Sequence, residues 1–169
     1  MTKLEPPDTH HLSAAMGWAE LGNYVEANAE IARIAPAFQK NPDVFAVRWQ
    51  IAASEKNWSA ALEVSRAIIS TQPNCASGWL HQAYALRRAP EGGLQAAWEA
   101  LLPAADQFPK EPIIPFNLSC YACQLGQLDK ARQWLRRAMA TGDWSAIKLM
   151  ALSDPDLKPL WVEIEGWQE

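Results

Sequence analysis

The amino-acid sequence predicts an all-α protein of about four stacked helical hairpins, and three observations carry that prediction. The first is a set of small and apolar residues at i, i+4 and i+7, written four times: Ala27-Ile31-Ile34, Ala61-Ser65-Ile68, Ala97-Leu101-Ala104 and Ala131-Leu135-Ala138. Residues so spaced share one face of a helix. The second is their interval, since the four alanines lie 34, 36 and 34 residues apart. The third is an independent upstream series, Trp18, Ala52, Leu86 and Ala122, spaced 34, 34 and 36 residues. Both long intervals contain residues 86–97, so one two-residue insertion accounts for both, and Pro90-Glu91-Gly92-Gly93 is the turn expected to hold it.

In chain order, residues 1–7 are expected to be disordered or extended, and residues 8–143 divide into repeats 8–41, 42–75, 76–111 and 112–143. Within a repeat, a first helix ends in a short turn such as Leu21-Gly22-Asn23-Tyr24, Glu55-Lys56-Asn57-Trp58 or Leu125-Gly126-Gln127-Leu128. Glycine supplies the left-handed backbone that closes a helix, and the residue two positions on can pack back onto the hairpin. Pro42, Pro73, Pro109 and Pro112 punctuate the repeat boundaries, because a missing N–H and a ring clash stop helix propagation. Pro36 and Pro103 fall near the ends of second helices and should kink or shorten them. Residues 144–169 read as C-terminal capping helices: one over 144–152, then Ser153-Asp154-Pro155 opening a last helix through Leu157, Leu160, Trp161 and Ile164. A cap with a polar outer side covers the apolar end of a stacked array.

A helical hairpin of this period, with a small residue at the helix crossing and proline at its end, resembles the tetratricopeptide repeat family. The third repeat matches best, with Trp79, Ala83, Leu86, Ala97, Leu101, Ala104 and Pro109, while the second departs most, with Arg48-Trp49 and Lys56 where leucine-glycine and glycine are usual. The resemblance implies a right-handed α-solenoid whose first helices line a concave groove. It further implies that the groove residues are Leu12, Met16, Ala46, Gln50, Leu80, His81, Tyr84, Arg87, Arg88, Phe116, Asn117 and Cys120. Tyr84 and Phe116 would be apolar anchors and Arg87 or Arg88 would meet a carboxylate. The lysine and asparagine clamp with which some relatives grip acidic chaperone C-termini is missing, since Leu12, Met16, Val47, Ser77 and His81 occupy its positions. The expected function is a non-catalytic scaffold for protein–protein interaction, binding a peptide or protein segment. The alternatives are a bacterial secretion-chaperone-like protein or a self-associating structural module, and a homo-oligomer fits the latter.

Composition narrows the classes further. At 49% hydrophobic and 20% charged residues the chain reads as globular, and a net charge of −4 disfavours nucleic acid, whose phosphates demand clustered Lys and Arg. The first residues lack the apolar core of a secretory signal and no stretch nears the roughly 18 apolar residues of a membrane span, so a cytoplasmic protein with no membrane contact is expected. Cys120-Tyr121-Ala122-Cys123 is a CxxC, yet it falls mid-helix without a second ligand pair and reads as packing. Adjacent His10 and His11 point in different directions and read as solvated polar residues. Most of the nine tryptophans occupy packing positions, whereas Trp144, Trp161 and Trp167 fall in the cap, where an exposed one would mark a contact. With no phosphate loop, nucleophile elbow or paired carboxylates, no enzyme, metal or cofactor is expected.

Overall fold

A computed structural model describes residues 3–169, so the stretch expected to be disordered or extended begins in two residues outside those described. Among the described residues every regular element is helical. The α-helices are α1 (Asp8–Glu20), α2 (Tyr24–Arg33), α3 (Pro42–Ser54), α4 (Trp58–Thr71), α5 (Ala76–Leu86), α6 (Leu94–Leu101), α7 (Ala104–Gln107), α8 (Ile113–Gln124), α9 (Leu128–Thr141), α10 (Trp144–Ser153) and α11 (Trp161–Glu165). None of these helices is long and apolar enough to cross a membrane.

Three of the hairpin turns are built alike. The N–H of Asn23, Asn57 and Gln127 donates to the carbonyl five residues back, that of Trp18, Ala52 and Ala122, at 2.9, 2.8 and 2.9 Å. The residue before each donor, Gly22, Lys56 or Gly126, sits in the left-handed region at φ 75°, 57° and 74°. This pair of features is the Schellman closure, and Lys56 adopts it despite its side chain. Asn23 and Asn57 then cap the second helix, their side-chain oxygens accepting from Glu26 and Ala60 N–H at 3.3 and 3.2 Å. In the third turn the matching donor is Gly93, whose N–H reaches back seven residues to Leu86 at 2.8 Å. The two extra residues therefore lie in the loop 87–92. Gly92 folds so tightly there that a Cβ would stand 2.0 Å from the Leu86 carbonyl oxygen.

The spacing pattern maps onto burial. All twelve residues of the i, i+4, i+7 sets are buried, none more than 5% exposed. Proline shapes the second helices: α4 and α9 run 14 residues each, whereas α2 stops after 10 ahead of a 3-10 turn at Pro36–Phe38, and α6 stops after 8 with Pro103 leading into α7.

The chain forms two compact units, one ending at Ala85 and one starting at Leu86. In the first, α1 packs on α2, α3 on α4, and α3 on both α1 and α2. Leu4, Ala15, Ile31, Ile34, Val44, Val47 and Ile51 form its core. The buried Asp8 carboxylate accepts the Ala35 N–H at 2.8 Å, fastening the start of α1 to the end of α2. In the second, α8 packs on α6, α7, α9 and the segment 155–160, with Leu101, Ile114, Leu118, Leu135, Met139, Leu157, Leu160 and Ile164 fully buried.

The C-terminal helix differs from expectation. Residues Pro155–Leu160 form a 3-10 helix, and α-helix begins only at Trp161. Pro159 lies inside the stretch, where its missing N–H and the clash of its ring with the preceding turn disfavour a continuous α-helix. The apolar residues Leu157, Leu160 and Ile164 still face inward.

Candidate functional site

The expected groove residues distribute over both units: Leu12, Met16, Ala46, Gln50, Leu80, His81 and Tyr84 in the first, and Arg87, Arg88, Phe116, Asn117 and Cys120 in the second. In the first unit, α1 and α3 bring Leu12, Met16, Ala46 and Gln50 together around a cavity of about 320 Å³, with Val47 and Asp43 completing its wall. A second cavity of about 330 Å³ shares Leu12, Met16 and Asp43 and extends past Ser13 to Lys3. Met16 stands 44% exposed in this trough. Four residues separate Leu12 from Met16 and Ala46 from Gln50, which places each pair on one helical face.

Alongside it lies an aromatic cluster. The His81 ring stacks on Trp49, whose edge meets Tyr84, and Tyr84 also meets Trp58 at 5.8 Å. Burial pushes the His81 pKa down to about 4. His81 and Gln72 also line a cavity of about 210 Å³ with Asp43, Ala46, Cys75 and Ser77.

The second unit treats its expected groove residues differently. Phe116 and Cys120 are buried, and the chain's own segment 155–160 packs along α8. Arg87, just beyond α5, grips Asp156 with two guanidinium nitrogens on two carboxylate oxygens, Nη2 to Oδ1 at 2.9 Å. Hydrogen bonding to Asp156 raises the Arg87 pKa further, and the guanidinium lies 5.7 Å from the centre of the Tyr121 ring. Gln124 Nε2 donates to the Asp156 carbonyl at 3.0 Å, and Cys120 Sγ approaches Asp154 Oδ2 at 3.6 Å. Asn117, one face over, donates to the Ile113 carbonyl of its own helix. An Arg87–carboxylate contact was expected from a ligand, and Asp156 of the same chain supplies it.

The remaining candidates for chemistry have close partners within the fold. Burial, and then the neighbouring Asp154 and Asp156, push the Cys120 thiol far up, and burial raises Cys123, so neither is a ready nucleophile. Cys120, Asp154 and Asp156 lie within 4.8 Å of one another, but a cation there would compete with Arg87 for Asp156. His11 is not simply solvated: its Nδ1 lies 2.7 Å from the buried Glu30, which also holds Arg33. The partners are 19 residues apart, beyond any local pattern. In the cap, Trp161 Nε1 donates to the Ala151 carbonyl at 3.0 Å and Trp167 is buried beneath Arg136, 4.2 Å from its ring centre. These two tryptophans serve the fold.

Repeated two-helix turns with a shared closure and buried small residues at the crossings define a helical-repeat protein. The particular likeness is to a thermophilic TPR protein of Thermus thermophilus, whose crystal structure superposes with a TM-score of 0.59 at 20% identity, covering 94% of this chain and 98% of that one. The fold is therefore an all-α, tetratricopeptide-like solenoid. No protein-family model and no curated protein matches the sequence.

Proposed function

We propose that this protein is a non-catalytic scaffold that holds a segment of another protein against the α1–α3 face. The observation that supports the reading most is the open trough of about 320 Å³ lined by Leu12, Met16, Ala46 and Gln50. A few apolar side chains with an adjustable methionine and one amide suit an extended or helical peptide, which gains affinity from burying apolar anchors and register from the polar group. Tyr84, 39% exposed, offers a further apolar foothold in the same unit. The acidic net charge of −4 favours a protein over nucleic acid as partner.

The test is photo-crosslinking with benzoylphenylalanine placed at Met16 or, as control, at Glu63 on the exposed side of α4. A partner captured from Met16, absent from Glu63 and lost on Ala46→Glu supports the trough. Equal capture from both positions, or capture that survives Ala46→Glu, would remove it.

A second reading, self-association, is favoured by Leu149 and Val162, 71% and 88% exposed on the second unit. Light scattering of the purified chain, with Leu149→Asp and Val162→Asp as controls, distinguishes it: a dimer that both changes dissolve supports it, and a monomer at all concentrations ends it.

A further inference from the structure

The contact of the segment 154–160 with α8 and with Arg87, just beyond α5, has the composition of peptide recognition rather than of plain helix packing. Arg87 reads a carboxylate through a two-pronged grip, Gln124 reads the main-chain carbonyl of the same residue, and Leu157 and Leu160 are fully buried as apolar anchors. The segment itself is peptide-like: a short 3-10 turn that starts at Pro155 and contains Pro159, preceded by Asp154, whose side chain accepts the Asp156 N–H at 2.9 Å. It is joined to α10 on one side and to α11 on the other, and α11 is tied independently by Arg132 to Glu163 and by Lys148 to the carbonyls of Glu165 and Trp167. The flanks of the segment thus have attachments of their own, separate from its contact with α8.

We infer that Asp154–Leu160 is a built-in ligand of α8, and that the same face accepts in trans an acidic, leucine-containing peptide of the pattern Asp-x-Asp-Leu-x-x-Leu when the resident segment opens. The carboxylate is required because Arg87 stays cationic whatever occupies the face, and a half-buried guanidinium without a counter-charge is costly. Leucine one residue later is required because Leu157 fills fully enclosed space beside Asp156. Tethering gives the resident segment a high effective concentration, so a free peptide competes only as far as the closed state is weakened. This proposal shares the peptide-holding reading above but concerns a different face, and its failure leaves the α1–α3 trough untouched.

The experiment uses the full chain and a fluorescein-labelled peptide with the sequence of residues 152–162, read by fluorescence anisotropy. Asp156→Ala, which loosens the resident copy, is expected to bind the peptide about tenfold more tightly than the unaltered chain. Binding should vanish when Arg87→Ala is added, or when the peptide carries D156N. Equal binding by the unaltered and Asp156→Ala chains, or binding indifferent to Arg87, would overturn the inference. Hydrogen exchange of the unaltered chain keeps the question decidable if the variant does not fold. Amides of Leu157, Lys158 and Leu160 should exchange ahead of those in α9, and Arg87→Ala should speed the former about tenfold while leaving the latter unchanged. Exchange of both segments in a single unfolding event would equally overturn it.

Discussion

The indole of Trp49 lies flat against the imidazole of His81, ring centroids 3.8 Å apart and planes 9° from parallel. Trp49 stands where a tetratricopeptide repeat usually has a small residue, and its extra volume is taken up by this stack and by the edge of Tyr84. His81 Nδ1 and Trp49 Nε1 are both buried without a hydrogen-bond partner, so the contact is aromatic rather than polar. Groove chemistry through a charged His81 is thereby disfavoured, because burial keeps the ring neutral down to a pKa of about 4.

A pH dependence follows. Between the ordinary 6.5 and about 4 the unfolded chain takes up a proton at His81 that the native chain refuses. Stability from this site is complete above pH 6.5 and is lost as pH falls towards 4, by about 1 to 2 kcal/mol after allowance for the ring's partial exposure. His81→Phe keeps the stack and removes the titration. Its melting temperature should fall less than that of the unaltered chain between pH 6.5 and 4.5, and parallel pH profiles would refute the assignment.

Lys56 holds a left-handed backbone at φ 57°, where Gly22 and Gly126 stand in the sister turns. Lys56→Gly relieves the Cβ clash at some cost in unfolded-chain entropy, for a net gain of about 0.5 kcal/mol. Urea titration at neutral pH measures it, with a loss of stability as the contrary result.

Ser119 is fully enclosed at a helix crossing and its hydroxyl has no hydrogen-bond partner. Ser119→Ala removes a buried polar atom with almost no change in volume, and is expected to stabilise by about 1 kcal/mol. A destabilised Ser119→Ala protein would show that the hydroxyl has a partner in solution.

Gly92 closes the longest hairpin turn within 2.0 Å, by its absent Cβ, of the Leu86 carbonyl oxygen. Gly92→Ala must push the loop away and lose the Gly93 to Leu86 hydrogen bond, costing about 3 kcal/mol. Chemical denaturation reads this directly, and a cost under about 1 kcal/mol would mean the loop rearranges freely.

Much of the fold was legible in the sequence because its determinants are local. A residue's place at i, i+4 or i+7 settles which side of a helix it occupies, so Ala27, Leu101 and Leu135 could be assigned to the core before any partner was known. The insertion before Gly93 was legible for the same reason, through interruption of a period. The break at Pro159 could have been found too, since a proline four residues after Pro155 denies the α-helix its bond.

The candidate site was legible only where neighbouring positions on one helix form it. Leu12 with Met16 and Ala46 with Gln50 are such pairs, and they meet around one cavity. What lies on α8 was not, because Arg87 and Asp156 are 69 residues apart and no periodicity couples them. The sequence alone determined the repeated hairpin, its buried faces and its longer turn, since each is written in short-range spacing. Only the tertiary structure decided that Arg87 already holds a carboxylate and that Phe116 and Cys120 are covered, because burial and ion pairing depend on which distant segment the chain folds back upon itself.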